Sequence, residues 1–320
     1  MKRIFYLFVV LLLVSCGHRN TSEPVPQSDT TASETDTARN ARRHNADNFY
    51  AFHYKDDGIY VGNNVEMLTK LDLGDGYAPV LSSDGNVLAY TEPDSAASSV
   101  HLYDISNKKD KKLNFGPYSC MSGDFGADGR LLAYSIRNDR NIWTICLYDT
   151  QNRTNEVLSA ANTQDGDYRP TFSPDGEFLL FHNMRKVMIF RVDGLSVKRY
   201  KDIYCESFCQ RNALVITPSS KFQMTADHKS IVFTCEDYST GVRGFQQLFI
   251  YDIATSRMTE ILSPEYSCGD FQISDDGHIY YIQISPDGSR YLYMAPLSDL
   301  KAVRVSQEKL GNYPTLSLAY

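Results

Sequence analysis

The sequence predicts an all-β fold: a six-bladed β-propeller whose C-terminal strand completes the N-terminal blade. Three observations carry this reading. First, a hairpin pattern recurs five times, as an alternating strand, a tight polar turn and a short apolar run. The clearest copy is Pro170-Thr171-Phe172-Ser173-Pro174-Asp175-Gly176-Glu177-Phe178-Leu179-Leu180-Phe181. Its Pro presets one φ of the turn and its Gly accepts a positive one. Second, the turn position recurs at residues 85, 129, 176, 228 and 277, in steps of 44 to 52 residues. A period of that size, with several short strands in each repeat, is the signature of propeller blades. Third, the first blade lacks its inner strand, and Tyr313–Tyr320 at the other end of the chain has the pattern of one.

In chain order, residues 1–15 read as a secretory signal. Lys2 and Arg3 are positive, and Ile4–Val14 is an apolar run too short for a comfortable membrane span. Residues 16–47 read as a flexible tether, because they hold almost no large apolar residue with which to offset ordering entropy. Such a chain reaches roughly 30 Å root-mean-square, at about 5–6 Å times the square root of residue number. Its Arg39, Arg42 and Arg43 read as a solvated cluster.

The propeller spans residues 48–320. Phe49–Tyr54, Ile59–Val61 and Met67–Leu71 read as the second, third and fourth strands of blade 1. Four whole hairpins of the clearest kind start blades 2, 3, 4 and 6, and Gln223-Met224-Thr225-Ala226-Asp227-His228 starts blade 5 with His in the glycine position. Third strands end in Leu-Tyr-Asp or Ile-Tyr-Asp, at Leu102-Tyr103-Asp104, Leu147-Tyr148-Asp149 and Ile250-Tyr251-Asp252. The fourth strands that come next are short and polar, as outer edge strands should be. In blade 6 a second turn, Ser285-Pro286-Asp287-Gly288, separates His278–Ile284 from Arg290–Ala295, and Val303–Val305 is the outer strand. Asp202–Ser219 reads as an insertion before the fourth repeat's hairpin, that of blade 5, of a length that is often functional or mobile in compact domains.

The strand–Ser-Pro-Asp-Gly–strand hairpin followed by Leu-Tyr-Asp resembles the TolB-like (PD40, WD40-like) propeller family, over roughly residues 49 to 320. That family includes scaffolds, receptors and propeller portions of peptidases and lyases. Leu13-Val14-Ser15-Cys16 in turn resembles a bacterial lipobox. The resemblance implies acylation of Cys16, each buried CH₂ of the anchor contributing about 0.8 kcal/mol; the alternative is an ordinary secretory signal. Gly17 rather than Asp comes after Cys16. By analogy with enteric lipoproteins this implies the outer membrane, and no acidic cluster is placed there to direct export to the cell surface. The expected location is therefore the envelope, on the periplasmic side.

A net charge of −7 shows no basic stripe of the kind that binds nucleic acid. An envelope protein or a glycan is the expected partner, and the propeller itself is expected to be monomeric. Beyond Cys16 the cysteines are Cys120, Cys146, Cys205, Cys209, Cys235 and Cys268. Exported chains permit disulfides, and Cys205 and Cys209 are close enough in sequence for a local bridge. Cys146 and Cys235 sit in strand patterns and read as buried thiols. Cys120 and Cys268 end the same tripeptide, Tyr-Ser-Cys, at equivalent places in two repeats.

No Gly-x-Ser-x-Gly elbow, His-Glu-x-x-His helix or phosphate loop is present. The sequence thus points to no catalytic residue, metal or cofactor. In propellers the first strand of each blade lines the axis, and the loop leading into it faces the channel opening. Those lead-in positions are expected at Tyr77, Asp124, Arg169, Lys221, Asp270 and Tyr313. Mixed charge with Tyr suits a polar binding surface with rigid aromatic contacts. The expected function is a lipid-anchored, non-catalytic binding scaffold. Two alternatives stand beside it: a propeller enzyme such as a polysaccharide lyase, and a TolB-type envelope-integrity protein. From the latter the sequence departs by placing no separate α/β domain before the propeller.

Overall fold

A computed structural model describes residues 48–95, 97–158, 166–210 and 213–319. The expected signal, Cys16 and the tether lie outside the described residues. The described chain forms six antiparallel sheets, one per blade. Blade 2 shows the plan: Tyr77–Leu81 is innermost, followed outward by Val87–Glu92, Ser99–Asp104 and Lys109–Lys112. Its middle strands are mostly buried. Its outer strand is fully exposed and carries three lysines, which blunt an edge open to strand addition.

Ring closure agrees with the expectation. Thr315–Ala319 joins the sheet of Phe49–Tyr54, Gly58–Gly62 and Thr69–Lys70, pairing Phe49 with Ala319 and His53 with Thr315. Alternate residues of each middle strand face the two neighbouring blades. The buried apolar residues accordingly form six clusters, one at each blade-to-blade interface. The cluster that seals the ring sets Tyr50, Phe52, Leu316 and Leu318 of blade 1 against Tyr280, Ile282 and Leu292 of blade 6.

The stretch expected as an insertion is largely core. Asp202 belongs to the outer strand of blade 4, Ser196–Tyr204. A 3-10 turn, Cys205–Ser207, comes next, and Leu214–Val215 pairs with Ser230–Asp237 of blade 5. This two-residue strand extends the inner position of that blade, whose own inner strand, Phe222–Met224, is only three residues long. Phe208, fully buried, sets its ring 4.7 to 5.1 Å from those of Phe222, Phe233 and Tyr251.

Cys205 and Cys209 are free thiols, contrary to the expected bridge. They occupy successive turns of a tight coil, with the Cys209 amide donating to the Cys205 carbonyl, and both pack against the core shared by blades 4 and 5. Burial pushes the Cys205 thiol up to about 12. Cys120, Cys146, Cys235 and Cys268 are also buried and form no disulfide among the described residues.

Candidate functional site

An inner strand is an edge. One row of its N–H groups faces the channel side, where no further strand can accept them, and a buried N–H left unpaired is costly. The chain meets this need with side chains from the adjacent blade. Leu81 N donates to Ser317 Oγ, Phe172 N to Asp124 Oδ2, Ile273 N to Gln223 Oε1 and Leu318 N to Gln272 Oε1. Asp124, Gln223 and Gln272 each stand five residues before their turn position, and Ser317 holds the matching place in blade 1. These bonds lace neighbouring inner strands together around the axis.

Further along the strands, away from the turns, the channel opens into a cavity of about 80 Å³ lined by residues of all six blades. In strict register, counting seven residues back from each turn position, its wall carries Ala78, Ser122, Arg169, Lys221 and Asp270. Blade 1 contributes Thr315. Four of the six residues expected at the mouth therefore converge: Asp124, Arg169, Lys221 and Asp270. Tyr77 and Tyr313 are not part of the wall. Tyr77 stands one residue too early and turns its ring toward His53, 6.4 Å away. Tyr313 precedes the strand, is 64% exposed, and holds Lys55 and Arg290 near its ring at 5.2 and 5.1 Å. The expected alignment of Tyr313-Pro314-Thr315 with Arg169-Pro170-Thr171 is two residues out of register. Leu318 pairs with Tyr50 as Phe172 pairs with Leu179, and Thr315 stands three residues before Leu318 as Arg169 stands three before Phe172, although blade 1 lacks the extra residue that bulges blade 4 there.

Most of the charge at the mouth is committed to the fold. Asp270 accepts from Phe271 N at 2.8 Å and from Leu316 N of the next blade at 3.1 Å. Lys221 Nζ lies 3.2 Å from Asp270 Oδ1 and also donates to the Phe271 carbonyl. Burial opposes ionisation of Asp270, but Lys221, Arg169 and the two amides hold its carboxyl below the usual range. Asp124 accepts from Phe125 N and Phe172 N. Here burial prevails over Lys221 and the amides, and pushes the carboxyl up to about 6.

Arg169 is different. Its Nε is buried and has no hydrogen-bond partner among the described residues, and its backbone sits at φ 53, the left-handed region. Nearby His182 is fully buried, with Nε2 2.9 Å from the Ser220 carbonyl, and burial lowers it to about 3, so it adds no charge. Across the ring, Thr315 Oγ1 is also buried and without a partner among the described residues. The rest of the wall is largely apolar, with Ala78, Pro79, Val80, Met121, Pro170 and Leu316, and among the described residues includes no aromatic ring. Sequence reasoning missed Thr315, Ser122 and Ala78. The seven-residue count from the turns would have found the latter two.

At the opposite end of the channel, Asp175, Glu177 and His228 come close enough to share a metal ion. Their side chains are engaged otherwise: His228 Nε2 lies 2.6 Å from Asp175, and Arg191 lies 3.1 Å from Glu177.

Fold and channel define a closed six-bladed propeller with a polar mouth. No protein-family model matches the chain, and no curated protein matches it. Solved structures do. TolB from Acinetobacter baumannii is similar with a TM-score of 0.55 at 14% identity, over 92% of this chain and 74% of that one. Hydrazine synthase from Kuenenia stuttgartiensis gives 0.59 at 11% identity, over 85% of this chain and 47% of that one. The tricorn protease gives 0.53 at 15% identity, over 82% of this chain and 30% of that one. Proteins of such different names share the fold with this chain, and the likeness extends to the fold alone.

Proposed function

We propose that this chain is a lipid-anchored propeller of the bacterial cell envelope that binds a partner protein or glycan, without chemistry, at the channel mouth. One observation carries the reading. Six equivalent positions on a repeated scaffold hold six different side chains, Ala78, Ser122, Arg169, Lys221, Asp270 and Thr315, around one preformed cavity. Ligand sites commonly combine apolar walls with a few placed polar groups. The lipid anchor rests on Leu13–Cys16, and the periplasm-facing location on Gly17 and its neighbours in the tether.

The test is capture of envelope components by the detergent-solubilised protein, compared with Ala78→Phe, which fills the mouth. Capture should fall at least tenfold while the melting temperature stays within a few degrees. Undiminished capture by the filled variant overturns the reading, since binding would then lie elsewhere. Cys16→Ser should move the protein from the membrane to the soluble fraction; persistence on the membrane refutes the anchor. A TolB-type role in envelope integrity is the second reading, favoured by the likeness to TolB. It expects deletion of the gene to make the envelope leak periplasmic contents.

A further inference from the structure

We propose that the mouth holds the carboxylate of an extended peptide segment of a partner protein, gripped by Arg169 with Thr315 on the opposite wall. This deepens the binding reading given above and rests on it.

Most polar groups of the wall already have partners within the fold. Lys221 is engaged with Asp270 and the Phe271 carbonyl. Both oxygens of Asp270 and both of Asp124 accept backbone amides. Ser122 donates to the Ala78 carbonyl, Ser317 accepts from Leu81 N, and Gln272 accepts from Leu318 N. Two atoms of the wall are buried and lack a partner among the described residues: Arg169 Nε and Thr315 Oγ1. They belong to blades 4 and 1, which face each other across a ring of six. A buried donor without an acceptor is destabilising, and more so when it is charged. An arrangement that keeps both therefore favours whatever satisfies both. A carboxylate does so: it is planar, takes the guanidinium edge, and has a second oxygen left for a hydroxyl donor.

The wall selects the carrier of that carboxylate. Pro79, Pro170, Val80 and Leu316 form an apolar collar, and among the described residues no aromatic ring lines it for a sugar face to stack on. A slender chain end, or a short acidic side chain on an extended segment, fits such a collar better than a uronate in a polysaccharide.

The decisive experiment titrates the detergent-solubilised full-length protein with N-acetyl-Ala-Ala-Ala as the free acid, its C-terminal amide and glucuronate, by calorimetry and by NMR line shifts at millimolar ligand. The free acid should bind, and the amide should bind at least about tenfold more weakly, because a charge-assisted hydrogen bond contributes about 1.5–3 kcal/mol. Arg169→Gln should abolish the preference for acid over amide, and Arg169→Lys should restore part of it. Thr315→Val should weaken the acid severalfold and leave the amide unchanged. Equal binding of acid and amide, no binding of either, or an acid preference that survives Arg169→Gln overturns the proposal. Binding of glucuronate in preference to the peptide acid overturns the peptide assignment. If Ala78→Phe loses the envelope partner while no carboxylate binds at Arg169, the mouth still binds and only this inference falls.

Discussion

The two ends of the channel are built from the same six strands and put to different use. At the turn end the chain repeats itself. Ser82, Ser173, Thr225 and Ser274 each donate to an Asp two residues on, and that Asp accepts the amide two residues further, closing the same compact turn each time. The turn position has φ between 58 and 82 in all five copies, even where blade 5 carries His228 instead of Gly. At the mouth, residues at matching positions are aliphatic, hydroxylic, cationic and anionic. Repetition builds the scaffold, and departure from repetition marks the place where something else is recognised. Within the mouth the same contrast separates Lys221, hydrogen-bonded to Asp270 and the Phe271 carbonyl, from Arg169, whose Nε has no partner among the described residues.

Five measurements put this division of labour to the test. The largest effect is expected from removing Thr315–Tyr320, which strips blade 1 of its inner strand and takes away Ser317 and the blade 6 contacts together; cooperative thermal unfolding followed by circular dichroism should be lost. Lys221→Ala comes next. It leaves the Asp270 carboxylate, 8% exposed, without its hydrogen-bonded cation, and breaking a buried pair in this way costs about 3–5 kcal/mol, to be read from urea unfolding. A mild effect here would mean that the pair is not structural. Third, Gly176→Ala should cost about 1–2 kcal/mol for a left-handed alanine, and more for contact, since an added Cβ would lie 2.9 Å from Ala127 N. Gly277→Ala, at φ 82 with open space around it, should show only the conformational part. Equal losses would remove the evidence that turn packing between blades matters.

The fourth measurement concerns pH. The folded-state pKa of Asp124 lies near 6, above the ordinary 3.8. Its contribution to stability is therefore full below the ordinary value and is lost as pH rises through about 6. Between about pH 4 and 7, wild type should lose melting temperature relative to Asp124→Asn; a difference that is flat or opposite in sign refutes the role of burial. The smallest effect is expected at Arg169. Its Ala variant gives up no protein hydrogen bond through Nε, only its charge near Asp270, so the loss of stability should stay below about 1 kcal/mol, well under that of Lys221→Ala.

Much of the fold was legible because its signals are local. Ser-Pro-Asp-Gly specifies a turn through the φ of two residues, and the period of the turns counts the blades. The closing strand was legible as a pattern but not in register. Tyr313-Pro314-Thr315 imitates Arg169-Pro170-Thr171, and a slip of two residues returns every side chain to the same face, so alternation cannot detect it. Register is set instead by long-range pairing with Phe49–Tyr54 and by bulges. An extra residue interrupts the inner strands of blades 2, 3, 4 and 6 and is absent from Phe222–Met224 and Thr315–Ala319. The segment after Tyr204 misled through its length, although Phe208 and Leu214-Val215-Ile216 carry enough apolar surface to be core. Of the mouth, the sequence showed which charges gather. Only the folded chain shows which of them are already used.

The seam between Phe49 and Ala319 also sets an order of events. The N-terminal blade is synthesised before the others, yet the strand that protects its innermost edge is made after every other strand of the ring. Until then Phe49–Tyr54 presents bare amides and carbonyls, with Tyr50 and Phe52 beside them, to whatever is nearby. A ring whose first blade waits for so distant a strand bears a large loop-closure cost and folds slowly. For this propeller the vulnerable interval is the time between emergence of the first blade and arrival of the closing strand, and a holdase that covers an apolar edge would act during it.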